Sequence, residues 1–116
     1  MDETIKLTRK QAKPILDACY PEYNGRKVTL QFTDHIIPWD LNWGGGTRNT
    51  YTFLNAQGDT RHYLPAAPWA EVSEGKRVDM RPDVLIVEHS IFCGQDMGVR
   101  IYAHPSLAPR LLAAAS

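Results

Sequence analysis

Along the chain, apolar positions change their period several times, and each change marks an element. In LTRKQAKPILDACY (7–20), Ala12, Ile15, Leu16 and Cys19 fall at i, i+3, i+4 and i+7, the stripe of a helix with one buried face. Thr8 followed by Gln11 forms a capping box that starts this helix at Arg9. Pro14 pulls the other way, because an interior proline removes a donor and clashes with the preceding turn. The helix is therefore either kinked at Pro14 or begins near Lys13. Pro21 ends it, and PEYNG supplies a turn with Gly25 as its left-handed residue.

From Lys27 the period drops to two. Val28, Leu30 and Phe32 alternate with Thr29, Gln31 and Thr33, the pattern of a half-buried strand that Pro38 ends or confines to an edge. Tyr51 and Phe53 alternate with Thr50 and Thr52 in RNTYTFL (48–54), and NAQGD leads on to a hairpin partner at Thr60 to Leu64. Residues 65–82, with three prolines and no sustained period, read as a long loop with at most a short turn. The apolar run Val84 to Val87 within DVLIVEHSIFC (83–93) predicts a central strand covered on both faces, interrupted by Glu88 and His89. GQDMG turns the chain into a returning strand with Val99, Ile101 and Ala103 on one parity. HPSLAPRLLAAA closes with a short helix capped by Ser106, with Leu107, Leu111 and Leu112 as its apolar face and Pro109 in its first turn.

Strands that follow one another through turns favour an antiparallel sheet. The expected fold is α+β: a small antiparallel sheet or partly open barrel of about five strands, with an N-terminal helix and a short C-terminal helix. A length of 116 residues and 43% hydrophobic content fit a single domain, 1–116, with one core. Thirteen basic residues balance thirteen acidic ones, so no overall field draws the protein to duplex nucleic acid or an anionic membrane. No apolar run approaches the roughly 20 residues that span a bilayer, and MDETIKLTRK lacks an apolar leader, so a cytoplasmic location without membrane contact is expected. Cys19 and Cys93 both sit in apolar patterns, which predicts buried thiols and leaves a disulfide open.

Three segments together, TRKQAKPILDACYPEYNGRKV, NWGGGTRNTY and PDVLIVEHSIFCGQDMGVRIY, resemble small uncharacterised proteins of bacteriophage and mobile-element genomes. Those proteins pair a helix ending in a Pro-Glu-Tyr turn with a Trp-Gly-Gly loop and a Glu-His-Ser hairpin. The resemblance implies a small intracellular domain and carries no activity, substrate or catalytic residue.

Candidate chemistry starts at NWGGGTR (42–48). A phosphate loop needs a lysine and a following helix, and a dinucleotide fingerprint needs spaced glycines; both are missing. What remains is a backbone nest at Gly44, Gly45 and Gly46 that would hold an anion with Thr47 and Arg48, set against the simpler reading of a sharp turn into a strand. Glu88, His89, Ser90 and Cys93 offer a base near two nucleophiles. However, strand neighbours face opposite ways, and His89 to Cys93 spans about 13 Å at the usual rise. Asp34, His35 and Asp40 with His62 or His104 show no metal-ligand spacing, so neither a metal nor a cofactor is expected. Trp39, Trp43 and Trp69 fall in predicted loops with arginines close by in sequence. They suit either barrel plugs or a contact surface for a protein partner or a second copy. The leading expectation is a non-catalytic binding or accessory protein acting through protein contacts, as a phage or mobile-element factor. A single-stranded nucleic-acid-binding module is the alternative, and a small enzyme centred on Cys93 and His89 is the third reading.

Overall fold

A computed structural model describes residues 3–23, 27–38, 42–43, 47–56 and 75–115. Among the described residues, eight strands and two helices follow in the order β1 (Glu3–Leu7), α1 (Arg9–Cys19), β2 (Val28–Phe32), β3 (His35–Ile36), β4 (Asn42–Trp43), β5 (Thr47–Asn55), β6 (Val78–Asp79), β7 (Val84–Phe92), β8 (Gln95–Ala103) and α2 (Ala108–Ala115). The fold is α+β, with a six-stranded open sheet in the order β1-β2-β8-β7-β5-β4 and a separate two-stranded ribbon, β3-β6. Five of the six sheet strands are five or nine residues long, and β4 contributes two. Of the two forms expected, the sheet is the one observed: it is open, with β1 and β4 at its ends, and is not closed into a barrel.

One pair departs from the antiparallel expectation. β2 runs parallel to β8, with Val28 opposite Val99 and Phe32 opposite Ala103. β1 was not foreseen as a strand; it pairs antiparallel with β2, and its short alternation, with Leu7 buried and Lys6 exposed, is too brief to stand out from the helix signal beside it.

Helix α1 starts at Arg9 under the complete capping box: Thr8 Oγ1 accepts from the Gln11 amide at 3.1 Å, and Gln11 Oε1 accepts from the Thr8 amide at 2.8 Å. The cap outweighs Pro14, which sits inside the helix rather than at its start. Ala12, Ile15 and Leu16 are buried against Leu30, Leu54, Leu85, Val87, Val99 and Ile101, and α2 adds Leu111 to the same cluster. Leu112, expected on that buried face, is 38% exposed. The cap of the closing segment also moves. His104, not Ser106, caps a single 3-10 turn at Pro105–Leu107, with its Nδ1 accepting from the Ser106 amide.

The second sheet face is covered by the β3-β6 ribbon, where Ile36 and Met80 pack on Phe53, Val84, Ile86 and Tyr102. With helices on one side and the ribbon on the other, Val84 to Val87 are buried on both parities, as the apolar run predicts. β6 lies within the stretch read as a long loop; its pairing, Ile36 with Val78 and His35 with Asp79, is nonlocal and leaves no periodic trace in two residues.

Candidate functional site

Strand parity places Glu88 on the ribbon side, in line with Val84 and Ile86. Register then sets its neighbours: Tyr51 of β5 lies opposite it on one side and Arg100 of β8 on the other. Tyr102, two residues beyond Arg100, shares that face. A cleft of about 270 Å³ opens above these four side chains. Gln31 of β2 extends the floor, and Thr33, His35, Ile36 and Ile37 form the wall contributed by the segment that enters the ribbon.

Glu88 is only 7% exposed. An ionised carboxylate buried to that degree costs several kcal/mol unless hydrogen bonds replace its water. Both oxygens are supplied here: the Tyr51 hydroxyl donates to Oε2 at 2.5 Å and the Tyr102 hydroxyl donates to Oε1 at 3.1 Å. Burial, together with the charge of Glu88, pushes the Tyr102 hydroxyl up to about 12, so it stays a donor through the physiological range. The exposed Arg100 guanidinium is directed to the Tyr102 oxygen, and that contact raises it further above the usual arginine range. A chain of polar groups therefore runs from buried carboxylate to phenol to exposed guanidinium. On the wall, Thr33 Oγ1 donates to the His35 carbonyl at 2.9 Å, and His35 Nδ1 lies 2.6 Å from Asp34 Oδ1. The hydrogen bond with His35 holds the exposed Asp34 carboxyl below its ordinary value.

His89, of the opposite parity, faces α1. Its Nε2 lies 3.2 Å from Asp96 Oδ1, and its ring is flanked edge-on by Tyr20 at 5.5 Å and Tyr23 at 5.4 Å between centroids. Asp96 Oδ1 also accepts from the Gly98 amide at 2.8 Å. Burial and the neighbouring Asp96 push the Tyr23 hydroxyl up to about 12. This group ties the end of α1 to the β7–β8 hairpin and includes neither Ser90 nor Cys93.

The expectation of a buried Cys93 is overturned. β7 and β8 meet with Phe92 opposite Gln95, so Cys93 and Gly94 alone make the turn, at φ 52° and 78°, and Cys93 is exposed at its tip. Two consecutive positive φ values are what a two-residue hairpin requires, because that turn matches the twist of its strands. GQDMG is thus mostly strand, with a bulge where Ser90 opposite Gly98 gives way to Ile91 opposite Asp96. Cys19, by contrast, is half-buried, donates to the Ile15 carbonyl and has its thiol pushed up to about 11 by burial. The two cysteines are not joined in a disulfide.

Asn42 pairs with Arg48 and Trp43 with Thr47, which makes a hairpin of the segment around the three glycines. Gly44, Gly45, Gly46, Trp39, Trp69, Asp40, His62 and the proposed strand at Thr60 to Leu64 lie outside the described residues, and the side chains of Trp43, Thr47 and Arg48 likewise. Because Arg48 is opposite Ile91, the glycine hairpin and the Cys93–Gly94 turn share one end of the sheet. Phe92 and Met97, each 51% exposed, stand at that end. Among the described residues, no three potential ligands gather to hold a metal, and no helix is long and apolar enough to cross a membrane.

Of the residues in the cleft, sequence reasoning singled out only Glu88 and His35, each in a different grouping. The available signal was parity: Tyr51, Glu88, Arg100 and Tyr102 all interrupt or flank apolar alternation on what becomes one face. No family model, curated protein or solved structure matches the chain.

Proposed function

We propose that the protein is a non-catalytic binding protein that holds a small polar ligand in the cleft between its sheet and the β3-β6 ribbon. The observation that carries this reading is Glu88: a buried carboxylate held by two tyrosine hydroxyls on the floor of an open cleft. Replacing a buried ionic group by apolar residues of similar size is often neutral or stabilising, and Val84 and Ile86 fill the same face of the same strand without difficulty. Stability alone therefore gives little reason for a carboxylate at this position, whereas convergent polar groups in a preformed cleft are the usual makings of a ligand site.

Pools of small polar metabolites added to isotope-labelled protein test the reading. Saturable shifts confined to amides of β2, β7 and β8 around Gln31, Glu88 and Arg100 are expected, and Glu88→Gln, which disturbs the tyrosine pairing on the floor, should change their midpoint while the remaining spectrum stays in place. Shifts that ignore the cleft, or none with any pool, would overturn it.

Protein contact is the second reading, favoured by Phe92 and Met97 at the end shared by two hairpins. If it holds, a Phe92→Ser, Met97→Ser double variant loses a partner that the parent protein retains. A setting in a phage or mobile element rests on the sequence resemblance alone.

A further inference from the structure

Resting on the reading of the cleft as a ligand site, we infer that its ligand is a small carboxylate with an apolar or aromatic body, gripped by Arg100. The hydrogen-bond ledger of the cleft leads there. Each oxygen of Glu88 already takes a phenol hydrogen, so the tyrosines have spent their donors and the buried carboxylate has partners on both sides. Thr33 Oγ1 is committed to the His35 backbone, accepting from its amide at 3.4 Å and donating to its carbonyl. Nδ1 of His35 is committed to Asp34. What is left to meet a ligand is mainly donating capacity: the exposed guanidinium of Arg100, whose five N–H groups meet one phenol oxygen, and the Gln31 amide.

A planar fork of donors selects a planar pair of acceptors, and the carboxylate group is its closest geometric match. Glu88 does not cancel that preference. It lies beneath the floor with each oxygen already held by a phenol, while Arg100 stands at the surface of the cleft. The apolar part of the lining is Ile36, which is buried, and Ile37, which is 57% exposed at the cleft. A ligand body lying along Ile37 and the Tyr51 ring would cover that surface. At about 270 Å³ the cleft lies near the lower end of the roughly 300–1,000 Å³ usual for small-molecule sites, with ample room for a single-ring ligand such as benzoate.

Benzoate, benzamide and benzylamine share one ring and differ in the head group, so they serve as the probes. Each is titrated into full-length labelled protein, following the Arg100 Nε–H signal and the cleft amides. Benzoate is expected to bind the cleft in preference to the other two, and Arg100→Lys, which keeps the charge but loses the fork, should weaken it by at least about tenfold. Arg100→Gln provides a second variant should the first perturb the sheet, and an unchanged amide spectrum outside the cleft confirms that each is folded. Benzamide or benzylamine occupying the cleft more tightly than benzoate would overturn the carboxylate assignment and leave the ligand site standing. Equal benzoate affinity in both Arg100 variants would do the same. If no probe reaches the cleft at any attainable concentration, the assignment falls, and the metabolite pools alone decide the ligand site.

Discussion

Tyr102 shows how much one hydroxyl can be asked to do. It donates to the buried Glu88, takes the Arg100 guanidinium on its oxygen and closes the floor of the cleft. Its ionisation is raised to about 12, as is that of Tyr23, and the Cys19 thiol is raised to about 11. Each group therefore holds its proton in the folded chain after the unfolded chain has lost it, so stability falls as pH rises through the interval between the two values. The fall begins above the ordinary thiol value of 9.0 with Cys19 and continues from 10.0 to about 12 with the tyrosines. Denaturant midpoints followed from neutral pH into that range should be level at first and then drop. Tyr102→Phe should start lower, by about 1.5–3 kcal/mol for a hydrogen bond to a charged group, and lose part of the drop. A parent midpoint that stays level to about pH 12 would contradict the assignment. Little of this was legible in the sequence. Glu88 is visible there only as a polar break in an apolar run, and nothing local says that Tyr51 and Arg100 will flank it, because cross-strand register is set by the whole sheet.

Elements were legible in proportion to how local their signals are. Helix α1 was marked by four apolar positions and a capping box, and the cap fixed the start correctly against the objection of Pro14. The cores of β2, β5 and β8 followed from alternation and that of β7 from its apolar run, whereas the two-residue β3 and β6 exist only through each other. The β7–β8 turn misled because Cys-Gly is not a familiar turn pair, although Gly94 supplies half of what is needed. Cys93 bears a left-handed backbone that costs an ordinary L-residue about 1–2 kcal/mol, and Asn tolerates it better. Cys93→Asn should thus raise the unfolding free energy by roughly 0.5–1 kcal/mol, measured by thermal or denaturant unfolding. A loss of stability would mean that what Cys93 contributes to the turn outweighs the strain. Gly98 is the opposite case: at φ 107°, a Cβ there would come within 3.0 Å of the Lys27 carbonyl, so Gly98→Ala should destabilise.

At the scale of the molecule, β7 and β8 lie in the middle of the sheet with covered faces, and β1 forms one edge. Amides of β7 and β8 should exchange with solvent most slowly and those of β1 markedly faster in native-state hydrogen exchange; equal protection would contradict this order. The α+β class and the two helices at the ends of the chain were foreseen, but the parallel contact between β2 and β8 was not. Alternation reveals that a strand exists without revealing its neighbour. That contact also governs the order in which the chain can fold. The β7–β8 hairpin closes over two residues and can form early, since short loops cost little entropy to close. The N-terminal unit of β1, α1 and β2 has its apolar stripe ready long before its seat exists, because β2 can dock only on β8, near the other end of the chain. Until β8 has emerged during synthesis, Leu30, Ile15 and Leu16 therefore lack the part of their cover that Val99 and Ile101 supply. A nascent chain stalled before β8 is therefore expected to expose apolar surface that the complete sheet covers, which favours aggregation and chaperone binding.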